Sequence, residues 1–187
     1  LFPALVTLRT GRPAKIVYTR REVFQASNSR HQMRVHVRVG AMRDGTIKAV
    51  DMHALSNAGA YGEHASTTVG LVGHKNIPLY AKNAAFRFTY EVVYTNTMAA
   101  GAYRGYGATQ GCFAMESAVN ELAAELGMDP AQLRLKNLPQ QGMNMPAYYN
   151  EPLSSSCLPQ CIQRGMEMIG WKEKYPTVRV DDPHVRG

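Results

Sequence analysis

Gly101-Ala102-Tyr103-Arg104-Gly105-Tyr106-Gly107 sets three glycines, two aromatic rings and one arginine within seven residues. Glycine lets a backbone turn sharply and approach a flat or bulky group closely. The planar fork of an arginine matches oxyanions, and tyrosine rings suit a stacked planar molecule. A strand-like run precedes this segment and an amphipathic helical pattern follows it. Peptide N–H groups at the turn therefore aim at whatever lies in front of the helix start. That is the chemistry of a small-molecule or cofactor site. The alternative is a tight strand-to-helix connection carrying an incidental arginine, and Arg104 discriminates between the two. The glycines at 101, 105 and 107 match neither the dinucleotide fingerprint nor a phosphate-binding loop ending in Gly-Lys-Ser/Thr. Gln110 either adds a side-chain amide to the same site or is an ordinary first-turn residue. Tyr103 and Tyr106 stand three apart, with Arg104 next to the first and Gly105 next to the second. They cannot both face one side together with Arg104, so one is expected to pack against the sheet.

Other residues carry weaker signals. The six histidines (31, 36, 53, 64, 74 and 184) form no metal-binding spacing, so no protein-ligated metal is expected. Glu63-His64 is the one pair resembling an acid/base unit, against the default of a solvated loop. Ser154-Ser155-Ser156 lacks the strand–turn–helix setting of a nucleophile. Cys112, Cys157 and Cys161 give neither a disulfide framework nor a zinc site, which points to a reducing, cytoplasmic setting. Cys157 and Cys161 share a helical face and are expected as semi-buried thiols on a packed helix, or alternatively as a redox pair.

The elements that must hold these residues follow from periodicity. Ala14–Thr19 is a short apolar run with a strand exit at Arg20-Arg21-Glu22. Met33, Val35, Val37 and Val39 alternate with polar residues as a half-buried strand. Asp44-Gly45 marks a hairpin, and the returning strand from Thr46 slips its alternation between Ala49 and Val50, which indicates a bulge. Phe86 to Tyr94 is a third, antiparallel candidate. Met115, Ala118, Val119, Leu122, Ala123 and Leu126 repeat at helical spacing up to Gly127. Asp129-Pro130 caps a short helix through Asn137. Residues 139–156 read as loop, and Ser156–Ile169 as a final helix with Pro159 in its first turn. Together these give an α+β fold, a mostly antiparallel sheet with helices packed on one side, over residues 1–170, with 171–187 a linker or frayed tail.

The 187 residues are 45% hydrophobic and 19% charged, a globular composition with a net charge of +7. The cations are scattered, so anionic ligands or an acidic partner subunit fit better than nucleic acid. Apolar stretches fall short of a membrane span. The start at Leu1-Phe2-Pro3, without Met, reads as a piece of something longer.

Ala102-Tyr103-Arg104-Gly105-Tyr106-Gly107 resembles the Ala-Phe-Arg-Gly-Phe-Gly signature of the molybdopterin-binding subunit of the xanthine dehydrogenase/aldehyde oxidase family. Further landmarks occur in family order: Gly11-Arg12-Pro13, Arg20-Arg21-Glu22, Arg30-His31, Gly45-Thr46-Ile47, Asn57-Ala58-Gly59-Ala60-Tyr61, Tyr94-Thr95-Asn96, Gly127-Met128-Asp129-Pro130 and Arg134-Leu135-Lys136-Asn137-Leu138. The resemblance covers roughly residues 1–170. It implies a molybdenum hydroxylase that inserts a water-derived oxygen at an electron-poor carbon of an N-heterocycle or aldehyde. Electrons would pass to 2Fe-2S and FAD centres in partner subunits or domains. It also implies that Arg104 lies at the molybdenum centre, that Ala102, Tyr103 and Gly105 help cradle the molybdopterin, and that Tyr106 stacks on the substrate.

Three departures accompany it. The family's Gly-Gly-Gly-Phe-Gly-Gly-Lys motif, expected just before Leu1, and the catalytic glutamate of the far C-terminal part are not in this sequence. The arginine that holds purine substrates aligns with Val72, and no arginine occurs from 44 to 86. His74 or Lys75 could replace it only through a local shift. The implied entity is a fragment of the subunit, inactive in isolation. The alternative, from a different class, is a non-catalytic anion-binding scaffold or interaction module.

Overall fold

The computed structural model describes residues 1–80 and 85–175. It opens with α1 (Phe2–Thr10), ended by Gly11 in the left-handed conformation, and α2 (Arg20–Ala26); neither buries a residue. The apolar run Ala14–Thr19 is not a strand but chain without a regular element. A β-like composition forms a strand only where another strand accepts its hydrogen bonds. Arg20-Arg21-Glu22 is likewise not a strand exit but the first turn of α2. Thr19 and Glu22 cap that turn reciprocally, Thr19 N donating to Glu22 Oε2 (2.7 Å) and Glu22 N to Thr19 Oγ1 (3.3 Å).

The hairpin forms as the sequence indicates, from β1 (Gln32–Ala41) and β2 (Ile47–Asn57), which pair antiparallel. Gly40 faces Ala49 and Ala41 faces Ile47, leaving Lys48 as the extra residue of a bulge. That one residue shifts burial from Ile47 to Val50, Met52, Ala54 and Ser56, the slip visible in the alternation. Gly45 belongs at the tip because a Cβ there would lie 2.6 Å from Met128 Sδ.

The chain then crosses over through α3 (Ala65–His74) and a 3-10 turn, returning as β3 (Ala85–Val93). β3 therefore pairs with β2 in parallel, not antiparallel as its alternation suggests. Antiparallel neighbours need only a tight turn, whereas a helical crossover brings the strand back in the same direction. The α+β class holds, with strand order β1-β2-β3 and the helices on one face. The other face carries polar groups, including Asp51 between Arg38 and Arg87, which hold its carboxyl well below the ordinary range.

α4 (Ala108–Leu126) is the amphipathic helix expected, burying Met115, Val119 and Ala123. α5 (Pro130–Asn137) starts at Asp129, whose Oδ1 accepts from Ala131 N at 2.7 Å. Val50, Met52, Val69, Val72, Met115, Val119 and Leu133 form the centre of the core. Buried Asn137 pins the hairpin to α5, accepting from Ile47 N (2.9 Å) and donating to Gly45 O (2.8 Å). Arg134 and Tyr80 both bind Glu116, so the Arg-Leu-Lys-Asn landmark braces the fold.

The 139–156 loop contains one small hairpin, β4 (Asn144–Met145) with β5 (Glu151–Pro152). α6 (Leu158–Ile169) leaves Cys157 and Cys161 exposed, not semi-buried, because no residue of this helix is buried among the described residues. Cys112 is exposed too. α7 (Trp171–Lys174) is tied back by Trp171 Nε1, which donates to Asp129 Oδ2 at 2.9 Å. Residues 176–187, with His184 and most of the segment expected as linker or tail, lie outside the described residues. No helix among the described residues is long and apolar enough to cross a membrane.

Candidate functional site

Because β2 and β3 run parallel, the loops following them, 58–64 and 94–107, emerge at the same end of the sheet. Ligands of open α/β sheets gather outside such carboxyl ends. The two loops are laced together by Ala58 N to Val93 O (2.9 Å), Thr95 N to Gly59 O (3.1 Å) and Ala100 N to Ala58 O (3.0 Å). Asn57 Oδ1 accepts from both Gly59 N and Thr95 Oγ1. A Cβ on Gly59 would fall 2.1 Å from Met98 O, so only glycine permits this approach.

The signature turn sits on this platform. Gly101 N donates to Ser29 O (3.0 Å), Tyr106 N to Tyr103 O (2.7 Å) and Ala108 N to Gly105 O (2.9 Å). Gly105, Tyr106 and Gly107 all adopt positive φ, which reverses the chain into α4. Gly107 and Gly111, one turn apart, press on Thr68 O and Val72 O of α3; added Cβ atoms would lie 1.9 and 2.2 Å from those carbonyls. Asn76 Nδ2 closes the same seam, donating to Val72 O (2.7 Å) and Ala108 O (3.1 Å).

Between these anchors the amides of residues 102–105 have no acceptor among the described residues, and these four residues are exposed. The Arg104 side chain likewise has no hydrogen-bond or ion-pair partner among them. Only its carbonyl is engaged, accepting from Arg30 Nη2. The result is a rigid loop presenting free N–H donors beside a free guanidinium, a constellation suited to oxyanions.

Arg30 is the residue that sequence reasoning missed as a site component. Its guanidinium forks to Thr109 Oγ1 (2.5 Å), Gln110 Oε1 (3.2 Å) and the Arg104 carbonyl, and lies 4.8 Å from the Tyr103 ring centroid. Arg30-His31 was visible only as a landmark, since nothing in its spacing joins it to residue 104. Gln110 serves the scaffold too, donating to His31 O at 3.2 Å. His31 is 2% exposed; Nδ1 meets Ser56 Oγ at 3.0 Å while Nε2 is buried without a partner among the described residues. Burial pushes this imidazole below its ordinary pKa.

The two tyrosines diverge, but neither belongs to the hydrophobic cluster on the sheet, where one of them is expected. Tyr103 is exposed against Arg30, whereas half-buried Tyr106 turns to His64, its hydroxyl 2.6 Å from Nδ1. Glu63 and His64 do not act as a pair: Glu63 accepts from Asn28 Nδ2, and His64 faces Tyr106. Val72 is fully buried in the core. His74 and Lys75 do not take its place beside the turn. They lie ten and eleven residues along the chain from His64, roughly 15 Å at 1.5 Å per helical residue. There His74 packs on Tyr148 and Tyr149, and Lys75 on Tyr148. No cluster of His, Cys, Asp or Glu suited to a metal ion occurs among the described residues.

Residues 1–138 match the molybdopterin cofactor-binding domain family. The chain is 36% identical over 164 residues to a putative xanthine dehydrogenase molybdenum-binding subunit of Escherichia coli (strain K12), covering 88% of this chain and 22% of that protein. It is 32% identical to the nicotinate dehydrogenase large molybdopterin subunit of Eubacterium barkeri, over 91% of this chain and 40% of that one. Its fold superposes on the aldehyde oxidoreductase of Desulfovibrio desulfuricans with a TM-score of 0.75 at 28% identity, over 91% of this chain and 18% of that structure. The chain thus spans about a fifth of the length of the Escherichia coli relative.

Proposed function

This chain belongs to the molybdopterin cofactor-binding domain family, and from that premise we propose that residues 1–170 form part of the cofactor cradle of a molybdenum hydroxylase. The observation that carries the reading is the row of free amides at 102–105 beside the unpartnered Arg104, on a loop fixed at both ends. These residues fit the group, because a molybdopterin with its molybdenum oxygens offers the anionic acceptors they lack. Ala102, Tyr103 and Gly105 hold it through backbone N–H groups, and Arg104 adds a positive charge at the reacting oxygens. Arg104 is the catalytic residue of this segment, and Tyr106 is the ring on which a planar substrate stacks.

When bound, the cofactor supplies a water-derived oxygen to an electron-poor carbon and takes up two electrons, which leave through iron–sulfur and FAD centres elsewhere in the assembly. The chain's own contribution is electrostatic preorganisation: donors fixed before the reaction need no reorganisation while negative charge develops. Val72, which aligns with the arginine of the purine enzymes, is apolar and fully buried, and among the described residues His74 is engaged with Tyr148 and Tyr149; both disfavour a purine. An N-heterocycle or an aldehyde is the substrate class, with a purine the less favoured member. The partners are the remaining parts of the molybdopterin subunit together with the iron–sulfur and FAD components, in a cytoplasmic enzyme.

In the full-length protein, Arg104→Ala lowers kcat by about 10²–10³-fold, about 2.7–4 kcal/mol, as for loss of one oxyanion donor. Steady-state rates normalised to molybdenum content measure this; a variant with wild-type rates removes Arg104 from the site. A second reading, a non-catalytic anion-binding module, draws on the same free donors, which would equally suit phosphate. It requires an Arg104-dependent thermal shift with phosphate in a protein that carries no molybdenum.

A further inference from the structure

We propose that His64 and Tyr106 form one recognition unit, which selects planar substrates bearing a hydrogen-bond acceptor such as a carboxylate or carbonyl oxygen. The inference rests on the assignment of Tyr106 as the stacking ring. The family signature has phenylalanine at this position, so the hydroxyl of Tyr106 is an addition that stacking does not require. The structure shows where it goes: Tyr106 Oη lies 2.6 Å from His64 Nδ1, and the two rings meet edge-on, with centroids 5.8 Å apart.

The contact is built from both sides. Tyr106 and His64 have φ of 49° and 51°, two of four non-glycine residues with positive φ among the described residues. A left-handed conformation costs energy for bulky side chains and persists only where the surroundings impose it. Here the surroundings are identifiable. Gly107, next to Tyr106, presses on Thr68 O in the first turn of α3, the helix that His64 caps. Gly62, two residues before His64, lies so close to the Tyr94 ring that a Cβ would approach it to 2.5 Å. Both backbones are thus seated before any ligand arrives.

The chemistry follows from the donor inventory. If the phenol donates to Nδ1, the neutral imidazole carries its proton on Nε2, and that N–H is free. If Nδ1–H donates to the phenol, the phenolic O–H is free instead. In either tautomer the pair keeps one donor unspent, since His64 and Tyr106 have no other side-chain hydrogen bond among the described residues. His64 is exposed at the mouth of the turn, which leaves this donor open to a planar ligand at Tyr106. A ring lacking an acceptor leaves it to water; a ring bearing a carboxylate satisfies it.

The test is calorimetric binding of two planar probes to the full-length protein: benzoate, which carries an acceptor, and aniline, which carries donors. Tyr106→Phe keeps the ring, and His64→Ala keeps the phenol. Each leaves the surviving donor without the contact that orients it and weakens benzoate about tenfold, the scale of one hydrogen bond to a charged group, while aniline shifts less than about twofold. His64→Gln, whose amide both accepts and donates, restores benzoate to within about threefold of wild type. The double variant loses no more than either single one, because the two residues act together. An unchanged benzoate-to-aniline ratio in either single variant overturns the proposal, as does a Gln variant no better than the Ala variant. Molybdenum content and turnover of the wild-type protein are measured alongside. Their absence counts against the proposed function, whereas undiscriminating binding in a molybdenum-loaded protein counts against the His64–Tyr106 unit alone.

Discussion

Two strand-to-helix junctions, 57–65 after β2 and 93–108 after β3, leave the same end of the sheet and meet through His64 and Tyr106. Each uses glycines to turn, and each sets a ring-bearing residue at positive φ close to its helix start. Their roles are nonetheless opposite. The second junction carries the free chemistry: unpaired amides, the Arg104 guanidinium and the Tyr103 ring. The first is a mould, in which α3 offers Thr68 O and Val72 O as the surface on which Gly107 and Gly111 rest. A loop that must present unsatisfied donors cannot brace itself with them, so its rigidity is borrowed from its neighbour.

The largest expected effect is at the weld between the junctions. Gly107→Ala places a Cβ 1.9 Å from a backbone oxygen at a φ of 91°, and should lower stability by about 3–5 kcal/mol in denaturant melts. Near-wild-type stability would show that the junctions are not welded there. Next comes Arg30, the brace on the chemical side. Arg30→Ala should cost about 1–2 kcal/mol and speed exchange of the hydrogen-bonded amides of Tyr106, Ala108 and Gly111. Arg30→Lys should not restore protection, because one ammonium cannot reproduce the fork. Unchanged exchange in the alanine variant would make the second junction self-supporting.

A smaller, pH-dependent loss belongs to His31 beneath the turn. Burial depresses its pKa in the folded state, so below the unfolded value of about 6.5 the unfolded chain binds the extra proton. Its contribution is intact above that pH and is lost as pH falls from there through the folded pKa. Thermal midpoints measured from pH 8 to 5 should fall less in His31→Gln than in wild type. The smallest effect probes the mould: Gly70→Ala meets open space within a helix and should stabilise by about 0.5–1 kcal/mol, visible as a raised midpoint. A loss instead would mean that α3 needs its glycine for flexibility.

How much of this could be read from residue order varies by element. α4, α5 with its Asp129 cap, the Asp44-Gly45 hairpin and the bulge at Lys48 all depend on neighbours in sequence, and all were legible. α3 was not. Ala-Ser-Thr-Thr-Val-Gly-Leu-Val-Gly-His combines β-branched residues with two glycines, a poor helix by propensity. It is helical because Val69 and Val72 bury in the core while Gly73 admits the Phe88 ring. Ala14–Thr19 shows the converse, a strand-like run with no edge to pair with. The Thr19–Glu22 capping box is local too: its Thr-x-x-Glu spacing stands in the sequence.

The sequence by itself determined the chemical inventory: a glycine-rich turn with a free-standing arginine, two tyrosines that must diverge, and a family signature, each set by residue type and near spacing. Tertiary structure decided which of these groups meet. The crossover through α3 makes β3 parallel to β2, and that direction alone brings residue 64 to residue 106 and residue 30 to residue 104. Contacts across 40 to 80 residues depend on strand direction and helix seating. Those are settled by burial of a shared core, which no local pattern encodes.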